Sequence, residues 1–109
     1  MLDMAELAVG KLRGKVRSDY DADENLRLAL AHLLQTIGEA ARRVTPEFQA
    51  QHPEIQWRAI VGIRHKVVHD YLEVDYDIVW DVVTVDLPVL ILRLRQIVPD
   101  DTTKDEPTQ

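Results

Sequence analysis

The sequence predicts an all-α fold, an up-and-down bundle of four long helices and one short helix. Apolar residues recur at helical spacing along most of the chain, and no segment alternates for long like a half-buried strand. The connections between helical segments are short, which favours antiparallel neighbours. Hydrophobic residues make up 46% of the 109 positions, enough for one core without disulfide or metal staples. We therefore predict one helical domain over residues 1–98.

The first two helices are predicted from their apolar stripes. A helix over about residues 2–16 has apolar residues along one side and two glycines that weaken it. A loop follows, and Asp21 with Glu24 three residues later resembles a capping box. The second helix, about residues 22–44, carries the longest stripe: Leu26, Leu30, Leu33, Ile37, Ala40, Ala41 and Val44. This stripe predicts a helix that belongs to the core.

Three more helices are predicted after residue 44. Thr45 and Pro46 form an N-cap and first-turn pair, which predicts a short helix. A helix over about residues 55–71 follows. The last helix, about residues 76–97, is apolar over much of its circumference, so we expect it to be buried on two sides. Pro88 lies inside it and removes one backbone hydrogen bond, so we expect a kink there.

The segment IRHKVVHDYLEVD, residues 63–75, concentrates the polar chemistry of the chain. On a helical wheel of about 100° per residue, Arg64 falls within the apolar stripe of its predicted helix. An unpaired guanidinium is costly to bury. Two interpretations therefore stand: a buried ion pair or carbonyl-capping arginine that fixes packing, or an arginine at the rim of a cleft, ready to bind an anion such as phosphate.

A polar strip beside that stripe holds Arg58, Gly62, His65 and His69. The two histidines are four residues apart, a spacing that can hold a metal ion on a helix but is also typical of one solvated and one hydrogen-bonded histidine. No HExxH-type base accompanies them, and we expect no metal or other cofactor. Gly62 costs about 1 kcal/mol of helix propensity relative to alanine, which suggests close approach of another backbone or a ligand. Packing of this strip against a second copy would bring Arg64 and His69 of both chains to one groove, so we expect a homodimer.

Composition excludes several classes of protein. The absence of cysteine rules out disulfides, thiolate metal sites and a cysteine nucleophile. A net charge of −6 argues against a protein that coats nucleic acid without specificity. Residues 99–109 hold four acids against one lysine and are expected to be a disordered acidic tail. No apolar run approaches the roughly 20 residues of a membrane span, and the first residues are unlike a signal peptide. We expect a cytoplasmic protein with no membrane partner.

The residues Arg64, His69 and Tyr71 resemble the R-x4-H-x-Y motif of the HepT-like branch of the HEPN superfamily, small helical toxins of prokaryotic toxin–antitoxin pairs. Four further segments resemble landmarks of that family, namely IGEAARRV, WRAIVGIRHKVVHDY, VDYDIVWDVV and DLPVL. The resemblance covers about residues 22–95. The chain departs from the family pattern at His65, where many members have asparagine directly after the motif arginine, and in a shorter N-terminal helix.

The resemblance implies a homodimeric helical bundle that cleaves RNA without a metal ion, with Arg64 and His69 as its catalytic residues. It also implies a partner, a nucleotidyltransferase antitoxin of the MntA type, which silences the toxin by transferring AMP to the motif tyrosine. That acceptor is Tyr71, and we expect its hydroxyl to reach solvent while its ring packs on the apolar stripe. Two alternatives remain: a non-catalytic helical partner of the nucleotidyltransferase, and a metal-binding bundle that uses the histidine pair.

The residues around the motif suit RNA cleavage by the ribose 2′-hydroxyl. A histidine can act as base or acid near neutral pH, and an arginine can hold the phosphate oxygens as charge develops. His65, Lys66 and Arg58 are candidates for contacts to the RNA backbone, although each alone is also typical of a solvated surface residue. Glu39, in the IGEA segment, lies off the main stripe of its helix. We interpret Glu39 as a partner of an arginine or of an N–H group rather than as a catalytic group.

Overall fold

A computed structural model describes residues 1–70 and 73–97, with His69 and Asp70 described by their backbone alone. The chain is helical with one small hairpin. The helices in chain order are α1 (Leu2–Lys11), α2 (Arg17–Ala22), α3 (Glu24–Arg42), α4 (Pro46–Gln51), α5 (Trp57–Val61), α6 (Ile63–Val67), α7 (Tyr76–Asp81) and α8 (Leu87–Ile97). The antiparallel strands β1 (Val68–Asp70) and β2 (Glu73–Val74) lie between α6 and α7. A π-helical turn (Val82–Asp86) joins α7 to α8.

The all-α class is confirmed, but the bundle of four long helices is not what the described residues form. The predicted helix over residues 55–71 is instead two helices of five residues each, followed by the hairpin. Within residues 1–70 and 73–97, no helix combines the length and the apolar character that a membrane span requires. The predicted acidic tail, residues 99–109, lies outside the described residues.

Helix α3 is the centre of the fold, as its long stripe predicts. It packs against α1, α2, α5, α6 and α7. Its buried residues share one face: Leu30, Ala31, Leu34, Ile37, Gly38 and Ala41. The helix begins at Asp23, whose side chain accepts a hydrogen bond of 3.0 Å from the Leu26 amide. The predicted capping box of Asp21 and Glu24 is therefore wrong, because the cap lies between those two residues.

Helix α1 ends earlier than its apolar pattern predicts. It stops at Lys11, and Gly14 adopts a left-handed backbone with φ of +77°. Glycine takes this conformation without the strain that a side chain imposes, so it turns the chain out of the helix. The predicted loop that follows contains α2, whose first turn is fixed by a hydrogen bond of 2.9 Å from the Val16 amide to Asp19.

The last helical segment runs from Tyr76 to Ile97 without interruption, over the predicted length. The π-helical turn ends two residues before Pro88. Proline has no N–H to donate to the carbonyl of Thr84, so the regular α-helical hydrogen bonding is interrupted here. The wider π-helical turn lies next to the position at which the sequence predicts a kink. The expectation of burial on two sides is wrong, because Val85, Val89 and Leu92 are 62%, 45% and 61% exposed. These three residues share one face of the helix.

Tyr20 attaches the short helix α2 to α7. Its side chain is fully buried, and its hydroxyl donates a hydrogen bond of 2.7 Å to the backbone oxygen of Tyr76. Its ring centre lies 5.1 Å from that of Trp80. Arg17 adds ion pairs to Asp21 on α2 and to Asp77 on α7. Burial raises the pKa of Tyr20 above the usual range of a tyrosine.

We expect Tyr20→Phe to lower the free energy of unfolding at pH 7 by about 1 kcal/mol, because the Tyr76 carbonyl loses its donor. The raised pKa of the folded state means that the parent loses stability once the unfolded tyrosine ionises, above about pH 10. The difference between parent and variant should therefore shrink as the pH rises through 10. Urea denaturation at pH 7 and in alkaline buffer measures both effects, with Tyr76→Phe as the control. A constant difference at all pH values would contradict the buried neutral phenol.

Candidate active site

Arg64 is exposed on α6 and does not lie within the apolar stripe. The buried residues of α5 and α6 are Trp57, Ile60, Ile63 and Val67. The sequence-based wheel placed the stripe wrongly because the helix is interrupted at Gly62 and ends before Val68, so residues after Val67 do not share its period. Within residues 1–70 and 73–97, the Arg64 guanidinium has no hydrogen bond or ion pair. The interpretation as a buried ion pair is therefore wrong, and the guanidinium is available to an anion.

The glycine that lets two backbones approach is Gly38 on α3. A Cβ atom at Gly38 would lie 3.2 Å from the backbone oxygen of Ile60. At Gly62, by contrast, a Cβ atom would meet only the preceding turn of its own segment, 3.2 Å from the backbone oxygen of Arg58. The expectation that another backbone approaches Gly62 is wrong for the described residues. Gly62 instead separates α5 from α6.

His69 lies in β1, beyond the end of α6. Strand pairing joins Val68 to Val74 and Asp70 to Glu73, which leaves the backbone of His69 as the extra residue of a β-bulge. The amide of Asp75 donates a hydrogen bond of 2.7 Å to the carbonyl of Val67 and closes the base of the hairpin. The motif arginine and the motif histidine therefore belong to consecutive elements rather than to one helix. Tyr71 lies outside the described residues.

The hairpin removes the helical spacing from which a metal site at the two histidines was inferred. His65 is in the last turn of α6, whereas His69 is in a strand, so they do not occupy successive turns of one helix. Spacing of four residues brings side chains together only where the helix continues. In the part of the chain that the structure describes, no group of three or more potential ligands is placed to hold a metal ion.

Glu39 is the partner of an arginine. Arg42 donates two hydrogen bonds to its carboxylate, at 2.9 and 3.1 Å. Hydrogen bonding from Arg42 and its positive charge lower the pKa of Glu39, and the charges of Arg43 and Arg64 lower it further. Glu39 and Arg64 lie on two helices that pack against each other, α3 and α6. Arg58 is exposed on α5.

An apolar groove lies between α5–α6 and the helical segment that contains the π-helical turn. Its volume is about 350 Å³. The apolar lining consists of Ile55, Ala59, Ile60, Ile63, Val82, Val85, Leu87, Val89 and Leu90. Lys66, Asp86 and Arg93 supply charged groups around it. Sequence reasoning missed this groove because it expected the last helix to be covered on both sides.

Comparison with known proteins fits this arrangement. The profile of the family described as "Ribonuclease HepT-like" matches residues 1–97. The chain belongs to the HepT-like ribonuclease family. Membership confirms both the resemblance and the prediction of a ribonuclease, and it covers every described element from α1 to α8.

Three relatives illustrate the similarity of this HepT-like chain to curated proteins. A "Putative RNase" of Caldanaerobacter subterraneus subsp. tengcongensis is 30% identical over 97 residues, which are 89% of this chain and 87% of the relative. A "Putative RNase" of Methanocaldococcus jannaschii is 30% identical over 81% of this chain and 73% of the relative. The "Probable ribonuclease HepT" of Thermococcus cleftensis is 36% identical over 66% of each chain. No solved structure matches the chain.

Proposed function

We propose that this chain is a metal-independent endoribonuclease that acts in the cytoplasm as the toxin of a HepT/MntA-type module. AMP transfer to Tyr71 by the nucleotidyltransferase antitoxin silences it. The observation that carries the proposal is the exposed guanidinium of Arg64, which has no partner within residues 1–70 and 73–97 and begins the R-x4-H-x-Y sequence. A free guanidinium can bind a phosphate, and its place at the start of that sequence distinguishes Arg64 from the other exposed arginines of the chain.

The proposed reaction is cleavage by the neighbouring ribose 2′-hydroxyl. A base takes the hydroxyl proton, O2′ bonds to phosphorus, the bond from phosphorus to O5′ breaks, and O5′ receives a proton. The products are a 2′,3′-cyclic phosphate and a 5′-hydroxyl. We assign the proton transfers to His69, because an unperturbed imidazole titrates at about pH 6.5. Arg64 stabilises the charge on the phosphate oxygens as it develops.

RNA cleavage should persist when divalent ions are removed. The test is digestion of a labelled RNA by the unmodified protein in the presence and absence of EDTA, with the product ends identified by their sensitivity to phosphatase and kinase. Equal rates and cyclic phosphate ends support the proposal. A loss of activity in EDTA that magnesium restores would contradict metal independence.

The active form is proposed to be a homodimer that packs across the apolar groove. Val85, Val89 and Leu92 remain exposed on α8 and the turn before it, an apolar surface of the kind that marks protein interfaces. Lys66 of α6 lines the same groove. A second copy packed here brings the α6 helices of both chains to one two-fold interface, beside both copies of Arg64.

We expect Val89→Asp to dissociate the dimer, because a charged carboxylate in the groove loses its water when the chains associate. Light scattering at micromolar concentration measures the mass. The matched control is Leu28→Asp, at a leucine of α3 that is 51% exposed and lies outside the groove, and this variant should remain dimeric. A parent protein that is monomeric at that concentration would contradict the shared site.

The second candidate is a non-catalytic helical protein that only docks the nucleotidyltransferase and carries its modification site. The same apolar groove is compatible with this candidate, because a partner of another sequence can also cover the exposed valines. The two candidates differ in one measurement. A docking protein that is folded and unmodified leaves RNA intact, whereas the proposed toxin cleaves it.

A further inference from the structure

Three arginines surround one glutamate at the C-terminal end of α3. Arg42 binds Glu39 through two hydrogen bonds of 2.9 and 3.1 Å, and the two side chains are 65% and 50% exposed. Arg43 follows Glu39 by four residues, about one helical turn, and Arg64 lies on α6, which packs against α3. The positive charges of both lower the pKa of the same carboxylate. We call these four residues the arginine patch. It is a positively charged surface on a chain whose net charge is −6.

The packing of α3 against α5 places the end of α3 beside α6. A Cβ atom at Gly38 would lie 3.2 Å from the backbone oxygen of Ile60 and 3.6 Å from that of Val61. The two backbones are therefore in direct contact where α5 ends. Glu39 follows Gly38, so it lies next to the segment that leads into α6 and to Arg64. The end of α3 thus lies beside the segment that carries the proposed catalytic arginine.

The members of the arginine patch are not equivalent. Arg42 is engaged by Glu39, whereas Arg43 and Arg64 are exposed and form no ion pair with any described residue of 1–70 and 73–97. An arginine with a free planar fork is suited to a phosphate. A carboxylate beside it repels the same phosphate. The patch therefore contains one free arginine besides Arg64 and one group that opposes anion binding.

We propose that Arg43 binds the RNA phosphate next to the one held by Arg64, and that Glu39 holds Arg42 and limits the affinity of the patch for RNA. This inference rests on the proposed ribonuclease function and adds a substrate contact to it. An RNA strand that crosses α6 at Arg64 is continued over the end of α3. Arg43 is a binding residue in this arrangement, and Glu39 is a positioning residue.

The experiment measures the affinity for a single-stranded RNA with 2′-O-methyl riboses, which cannot be cleaved by their own hydroxyl, over a range of KCl concentrations. Arg43→Ala should weaken binding at low salt by about three- to tenfold and reduce the slope of log affinity against log salt by about 0.7, the value for one phosphate on a single strand. The matched control is Arg13→Ala, which removes the same charge from an exposed residue after α1. Circular dichroism confirms that both variants are folded.

Glu39→Gln is expected to strengthen RNA binding, the opposite of the effect expected of Arg43→Ala. Removal of the carboxylate charge weakens the hold on Arg42 and removes the repulsion of phosphate, so it should tighten RNA binding at low salt. Unchanged binding with lost cleavage would overturn the positioning role, because a catalytic carboxylate gives that pattern. Equal affinity and slope for Arg43→Ala and Arg13→Ala, in a parent that cleaves RNA, would overturn the Arg43 contact alone. A parent that neither binds nor cleaves RNA would overturn the proposed function together with this inference.

Discussion

Arg64→Ala is expected to lower the rate of RNA cleavage by about 10²- to 10³-fold, the usual effect of removing one group that stabilises transition-state charge. The side chain is exposed and has no partner within residues 1–70 and 73–97. Its removal should therefore change the free energy of unfolding by no more than about 0.5 kcal/mol. His69→Ala should lower the rate by about 10²- to 10⁴-fold, the range for general acid–base catalysis. Single-turnover cleavage and urea denaturation of each variant are the measurements.

Two further variants separate chemistry from charge. Arg64→Lys keeps the positive charge but not the planar fork, so we expect it to restore only part of the activity. Arg13→Ala removes a positive charge from an exposed residue after α1 and should cleave at the parental rate. A folded Arg64→Ala or His69→Ala protein with parental activity would remove that residue from the mechanism. Unfolding of Arg64→Ala would show that the arginine also supports the fold, which its exposure argues against.

The elements that the sequence predicts well are those with strong local signals. The stripe of α3 spans several turns, so its burial follows from period alone. Thr45 accepts a hydrogen bond of 3.2 Å from the Phe48 amide, with Pro46 in the first turn, as their order in the chain predicts. The segment from Tyr76 to Ile97 is likewise continuous. Each of these predictions depends on neighbours in the sequence.

The position of Arg64 could not be predicted, because it depends on where a helix ends. When residues 55–71 are treated as one helix, Arg64 falls on the apolar stripe. The chain instead breaks at Gly62 and forms a hairpin after Val67, and Arg64 is exposed to solvent. A signal for the hairpin does exist. Asp75 caps α7 by accepting hydrogen bonds from the Asp77 and Ile78 amides, so a helix start at that point was readable. The pairing of Val68 with Val74 depends on tertiary contacts, so the local sequence did not predict it.

The packing of α6, which carries Arg64, against the end of α3 depends on long-range contacts in the same way. Gly38 falls on the buried face of α3, but that position does not reveal that it meets the backbone of Ile60 on α5. The ion pair of Glu39 and Arg42 is local, because residues three apart on a helix are neighbours. Arg64 comes from another helix, so its place beside that pair depends on the packing of α6 against α3. Sequence patterns therefore identify the residues of the site, and packing determines which of them meet.

The proposed regulation through Tyr71 yields the second large expected effect. The chain has three tyrosines, which limits the possible acceptors of a tyrosyl adduct. Tyr20 is fully buried, and its hydroxyl is bonded to the Tyr76 carbonyl, so a folded protein does not offer it to an enzyme. Tyr76 is half-buried, with the guanidinium of Arg27 5.5 Å from its ring centre. Tyr71 follows His69 by two residues and is the acceptor that the motif implies.

Co-expression with a nucleotidyltransferase encoded beside the gene should add one or more AMP units, each about 329 Da, and abolish RNA cleavage. On the proposed function the adduct adds bulk and a negative phosphate that compete with the RNA phosphate, so we expect both steric clash and charge repulsion to exclude the substrate. Tyr71→Phe should keep the fold, lose the mass shift and remain active in the presence of the partner. Tyr76→Phe is the matched control and should still be modified and silenced. Intact mass and peptide mapping measure both variants, and an adduct mapped to Tyr76 in the Tyr71→Phe protein would show that Tyr71 is not the acceptor.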